Sequence, residues 1–220
     1  GELDAVRAFV TAARADGITD AVLLGMGGSS LAAEVLRSVL GCTPDWIRLH
    51  VLDSTDPAAV SSVRTPPART LYLLASKSGT TVEPNAMASH FAHVLQDAGV
   101  ADWASHFVAI TDPGRSFDHI PHNGELREFF LNPPDIGGRY SALSLFGLVP
   151  PALAGLQVTD LVASGRVMAR TATKVSSTAR PKASSCGVRR CQVKNSSCSR
   201  KYGSGRVLPR YSHCPGSVSA

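Results

Sequence analysis

Four short apolar runs within residues 1–110 each close on a polar loop, and this alternation limits the possible folds more than any other feature. Ala21-Val22-Leu23-Leu24 runs into Gly25-Met26-Gly27-Gly28-Ser29-Ser30, and Leu49-His50-Val51-Leu52 into Asp53-Ser54-Thr55-Asp56-Pro57. Residues 70–74 run into Ser76-Lys77-Ser78-Gly79-Thr80-Thr81, and residues 106–110 into Thr111-Asp112-Pro113-Gly114. Unbroken apolar runs of this length belong to strands covered on both faces. The intervening segments carry helical spacing, as at Leu3, Val6, Phe9, Val10 and Ala13. Helices are expected over residues 3–15, 31–40, 57–63, 82–96 and 140–149, the last stopped by Pro150-Pro151. A fifth strand is expected over residues 126–131. The pattern predicts an α/β fold, a doubly wound parallel sheet flanked by helices. Ligands of such sheets sit outside the carboxyl ends of the strands, where the glycine and hydroxyl loops fall.

Charge and cysteine divide the chain near residue 165. Residues 1–160 hold ten Lys/Arg against seventeen Asp/Glu, a net of −7, while residues 161–220 hold twelve Lys/Arg and no acid. The overall +5 and pI of about 9.1 therefore come from the C-terminal part. That part also holds Cys186, Cys191, Cys198 and Cys214, twelve serines, and Tyr202 and Tyr211 as its two aromatics. Its cysteine spacing matches no common zinc pattern, and its composition offers no specific nucleic-acid motif. The expected division is an ordinary acidic domain over 1–165 and an irregular basic tail over 166–220, disordered or translated out of frame. Cys42 stands alone in the first part, which fits a reducing, cytoplasmic setting. No apolar run reaches the ~20 residues that span a bilayer. The start at Gly1 reads as a processed or partial chain.

The loop over residues 76–81 carries four hydroxyls, a lysine and a glycine ahead of a helix. Outward N–H groups at a helix N-terminus, hydroxyl donors and a close backbone approach at Gly79 make a cradle for phosphate. The same residues also read as a solvated turn with Thr80 or Thr81 capping the helix. Gly25-Met26-Gly27-Gly28-Ser29 reads either as a tight turn or as a loop that a ligand approaches closely. It lacks the third glycine of a dinucleotide fingerprint, and no Gly-Lys-Ser/Thr marks a Walker loop. Gly137-Gly138-Arg139-Tyr140-Ser141 sets a permanently charged fork behind two glycines, for an anion or for a neighbouring carboxylate. His90 and His93 share a helix face at a spacing that metals use, but a solvated face explains them as well, and no metal is expected.

Taken in order, Gly25-Met26-Gly27-Gly28-Ser29, Ser76-Lys77-Ser78-Gly79-Thr80-Thr81 and Gly137-Gly138-Arg139-Tyr140-Ser141 resemble the glucose-6-phosphate isomerase family and its sugar-isomerase (SIS) fold. Val51-Leu52-Asp53-Ser54-Thr55-Asp56-Pro57 and Ser78-Gly79-Thr80-Thr81-Val82-Glu83-Pro84-Asn85 are similar to the isomerase half of fused transaldolase/phosphoglucose isomerases. The resemblance covers roughly residues 1–165. It implies interconversion of glucose 6-phosphate and fructose 6-phosphate through an enediolate, with no cofactor, and a homodimer. It implies that Ser76, Lys77, Ser78 and Thr81 hold the phosphate, that Gly28 and Ser29 line the sugar, and that Arg139 stabilises the enediolate. Many family members carry a larger residue where Gly79 stands.

The family's proton-moving glutamate lies well beyond the Arg139 motif, and no Asp or Glu follows Asp160 here. A base must reach the proton that it removes. The expectation is a partial chain that binds hexose 6-phosphate without turnover. The alternative is a non-catalytic phosphosugar-binding SIS module.

Overall fold

The computed structural model describes residues 1–178. Five strands, β1 (Asp20–Gly25), β2 (Arg48–Leu52), β3 (Thr70–Ala75), β4 (Phe107–Thr111) and β5 (Glu128–Leu131), form one sheet in the order β2-β1-β3-β4-β5. All four pairings are parallel. The helices are α1 (Glu2–Ala15), α2 (Gly28–Leu40), α3 (Pro57–Ser62), α4 (Val82–Asp97), the single turn α5 (Arg115–Asp118), α6 (Leu145–Leu153) and α7 (Val158–Thr178). The parallel sheet and the helices α1 to α4 are those expected from the sequence.

Burial follows position in the sheet. Every residue of the inner strands β1, β3 and β4 is buried, whereas β2 and β5 at the edges are partly exposed. Successive strand side chains point to opposite faces. Ala21, Leu23, Leu71 and Leu73 therefore join one core with α1 and α6, while Val22, Leu24, Tyr72 and Leu74 join another with α4. In the second core Tyr72 stacks between Phe91 and Phe107. Burial raises the Tyr72 phenol above its ordinary value.

At the amino end of β1, the Asp20 carboxylate is buried. It accepts two hydrogen bonds from Arg48 (3.0 and 2.8 Å) and one from Thr19 (2.8 Å), and lies 2.9 Å from His50 Nε2. Burial alone would raise its pKa, but the bonds from Arg48, His50 and Thr19 together hold it below the ordinary aspartate value.

Two features depart from the sequence expectation. The helix expected over residues 140–149 is a 3-10 turn over Gly138–Leu143 followed by α6, which contains Pro150 and Pro151 rather than stopping before them. Each interior proline removes a backbone bond at a cost of ~3 kcal/mol. All nine residues of α6 are buried, Phe146, Leu148, Val149 and Leu153 among them, and burying each such side chain returns ~1.5–3 kcal/mol. Helix α7 runs unbroken through the boundary expected between residues 165 and 166. Its apolar contact is the short strip of buried Val158 with Leu161 and Val162 against the core, so most of its length reads as polar sequence. The tail past Thr178 lies outside the described residues. No described helix is long and apolar enough to cross a membrane.

Candidate functional site

In this strand order the connections leaving β1 and β3 depart to opposite faces: α2 adds Ala33 to the first core, and α4 adds Met87, Phe91 and Leu95 to the second. A crevice opens at the carboxyl ends of the two strands, where α/β sheets bind ligands. The Gly25-to-Ser30 loop follows β1 and the 76–81 loop follows β3, so both border it.

The 76–81 loop is organised by its own hydroxyls. Buried Ser76 donates from Oγ to Thr81 Oγ1 (3.2 Å), and Ser78 Oγ lies 3.4 Å from the same atom. Ser78 Oγ also accepts from the Thr80 hydroxyl (3.0 Å) and backbone N–H (3.3 Å). Thr81 is the N-cap of α4 but makes no side-chain cap bond, so the capping expected of a threonine here is not made. Gly79 has φ +70°, and a Cβ placed on it would lie 2.1 Å from the Ser116 carbonyl oxygen in α5. That close approach leaves no room for a side chain at position 79. Asn85 Nδ2 donates to the Gly79 carbonyl (3.0 Å) from one turn into α4.

Lys77 faces the protein. Its Nζ donates to the carbonyls of Ile136 (2.7 Å) and Pro134 (3.1 Å) and lies 3.4 Å from Asp112 Oδ2. Asp112 directly follows β4, is buried, and accepts at Oδ1 from Asn132 Nδ2 (3.4 Å). Lys77 therefore ties the 76–81 loop to the segment leading into Gly137-Gly138-Arg139.

That segment in turn meets the first loop. A Cβ on Gly28 would fall 2.5 Å from the Gly138 carbonyl carbon, so the two backbones touch. Ser141 Oγ, buried, donates to the Gly28 carbonyl (3.0 Å). Ser29, half-buried, is the second residue of α2, its N–H donating to Met26 O (3.2 Å). Arg139 is exposed beside Gly28, Gly137 and Gly138 on an open cleft, and its guanidinium makes no hydrogen bond or ion pair among the described residues.

The structure thus joins Gly28, Ser29, Ser76, Lys77, Ser78, Thr81 and Arg139 along one edge of the sheet. It adds Asn85, Asp112 and Asn132, which the sequence reading did not single out. Asp112 carried a readable signal, an acid in a Thr-Asp-Pro-Gly loop at the carboxyl end of a strand. Asn85 stood at the end of the quoted Ser78–Asn85 motif and bonds Gly79 only six positions away, whereas Asn132 carried no signal, since its partner Asp112 lies 20 positions away. His93 Nδ1 pairs with its own helix at Ser89 O (2.7 Å), and His90 packs on Phe91.

The chain has relatives among known proteins. A family model described as phosphoglucose isomerase matches residues 5–176. Glucose-6-phosphate isomerase of Gloeothece citriformis is 33% identical over 158 residues, covering 70% of this chain and 30% of that protein. The Thermus thermophilus enzyme of the same name is 35% identical over 165 residues, covering 70% and 37%. A solved glucose-6-phosphate isomerase from Chlamydia trachomatis superposes with a TM-score of 0.62 at 32% identity, covering 69% of this chain and 29% of that one. The chain spans about a third of the length of these curated relatives. With the family model matched along most of its length and the three loops joined at one sheet edge, the chain belongs to the phosphoglucose isomerase family.

Proposed function

We propose that this chain is the phosphosugar-binding part of a glucose-6-phosphate isomerase. The 76–81 loop grips the phosphate of a hexose 6-phosphate, and the Gly28–Arg139 cleft receives the sugar. The observation that carries this reading is the linkage of the two loops through Lys77 and the 134–138 segment at the crevice between β1 and β3. The hydroxyls of Ser76, Ser78 and Thr81 sit at the N-terminus of α4, whose first-turn amides complement a phosphate dianion. Lys77, locked by two carbonyls and a carboxylate, supplies positive charge to that loop and fixes its shape. Arg139 is a permanent cation with no partner among the described residues, suited to the negative charge that builds on an enediolate.

In the whole enzyme the reaction would be aldose–ketose isomerisation, a proton moving between C1 and C2. Residues 161–220 contain no Asp or Glu, so this chain has no carboxylate beyond Asp160 to serve as the base. It binds the substrate and does not turn it over. The reading includes a cytoplasmic setting and a homodimer, for which the exposed Leu31, Val35 and Val39 on one stripe of α2 offer apolar surface.

The deciding experiment pairs a thermal-shift titration with glucose 6-phosphate and fructose 6-phosphate with an isomerase assay on the same sample. Saturable stabilisation by both sugar phosphates, lost in Thr81→Ala, is expected, without turnover. No stabilisation by either would overturn the binding assignment. Turnover would overturn the claim that the base is missing.

A further inference from the structure

A second cationic recess lies at the opposite edge of the sheet, away from the substrate crevice. It has a volume of about 510 Å³ and is lined by the segments that precede β1, β2 and β3: Gly17 to Thr19, Asp45 to Arg48, and Arg69, with Arg14 from α1. Three guanidinium groups therefore surround one recess in a region, residues 1–160, that holds only ten Lys/Arg and is net acidic. Among the lining residues Asp45 is the one carboxylate.

Each guanidinium is held in place by the protein and keeps donors to spare. The Arg14 guanidinium sits 4.2 Å above the Trp46 ring. That ring is itself wedged against Gly155, where any Cβ would lie 2.6 Å from the indole. Arg48 is clamped by Asp20 through Nε and Nη2, yet its side chain remains 67% exposed. Arg69 donates from Nε to the Gly17 carbonyl (2.9 Å), which leaves both Nη groups. Fixing these side chains in the free protein removes much of the ordering cost of binding. A planar guanidinium fork matches phosphate in two-point contact, and three forks around one recess select for a ligand of more than one negative charge. The volume lies within the ~300–1,000 Å³ of small-molecule sites.

We infer that this recess is a second anion site, taking a small phosphate-bearing anion of at least two charges, distinct from the loop that grips the sugar phosphate. Its position at the amino ends of β1 and β3, whose carboxyl ends carry the substrate loops, places a ligand against the same strands. The inference does not rest on the proposed substrate.

The test is a titration of the ¹⁵N-labelled 220-residue chain with inorganic pyrophosphate at low ionic strength, following the Trp46 indole N–H and the Nε–H signals of Arg14, Arg48 and Arg69. Saturable shifts at these four groups are expected, retained in Ser76→Ala/Thr81→Ala and at least tenfold weaker in Arg14→Gln/Arg69→Gln. Shifts confined to residues 76–81, shifts that rise linearly without saturation, or equal affinity in the arginine variant would overturn the site. Citrate binding as tightly as pyrophosphate would overturn the assignment to phosphate. If the arginine variant does not fold, the wild-type titration decides: saturation at Trp46 and the arginines supports the site, and its lack refutes it.

Discussion

Gly28 and Gly138 meet backbone to backbone: a Cβ on Gly28 would stand 2.5 Å from the Gly138 carbonyl carbon. This contact closes the cleft in which Arg139 stands, and Ser141 fastens it by donating to the Gly28 carbonyl. Gly28→Ala should force the two segments apart at a cost of ~1–3 kcal/mol. Urea unfolding should show the loss, and hexose-phosphate stabilisation should fall with it. An alanine variant as stable and as responsive to ligand as the parent would show that the contact is dispensable.

Gly79 tests the phosphate loop from the other side. Its φ of +70° lies where a side chain adds ~1–2 kcal/mol of backbone strain, and the Ser116 carbonyl blocks the space a Cβ would take. Gly79→Ala is expected to displace α5 and to destabilise by more than the strain alone. Amide hydrogen exchange should show residues 76–81 and 115–118 opening together. Exchange altered in one segment without the other would separate the two.

Lys77 is predicted to act as a tether before it acts as a charge. Lys77→Met leaves the carbonyls of Pro134 and Ile136 and the buried Asp112 carboxylate short of a partner. Losing hydrogen bonds to a charged group costs roughly 1.5–3 kcal/mol. A double-mutant cycle with Asp112→Asn should recover part of that loss, because the uncompensated carboxylate is then gone. Strict additivity of the two changes would deny the coupling.

Asp20 is expected to add to the acid sensitivity of the fold. Its folded pKa lies below the ordinary aspartate value of 3.8. Its contribution is therefore fully present above that value and disappears as pH falls through the folded pKa. Asp20→Asn should lower stability at neutral pH by roughly 1.5–3 kcal/mol, the scale of lost charge-assisted bonds. It should also flatten the fall in stability below pH 3.8. Thermal unfolding scanned from pH 7 to pH 2.5 gives both readings, and parallel curves for the two proteins would assign the acid loss to other carboxylates.

The strands were legible because an inner parallel strand writes its burial into consecutive residues. Ala21 to Leu24 and Leu71 to Leu74 are apolar without alternation and are covered on both faces. Helix α6 was misread because proline was weighed by its local penalty, whereas the complete burial of residues 145–153 decided the outcome. The extent of α7 was hidden for the opposite reason. One short apolar strip anchors it, and residues 166–172 are exposed.

The sequence by itself determined the parallel sheet, the place of its loops and the donor chemistry of residues 76–81, because strand burial, glycine and hydroxyls act over a few neighbouring residues. Only the tertiary structure decided which loops meet. The bond from Ser141 to Gly28 spans 113 positions and that from Lys77 to Ile136 spans 59. Whether such pairs form depends on how whole helices pack on the sheet, and no local pattern encodes that.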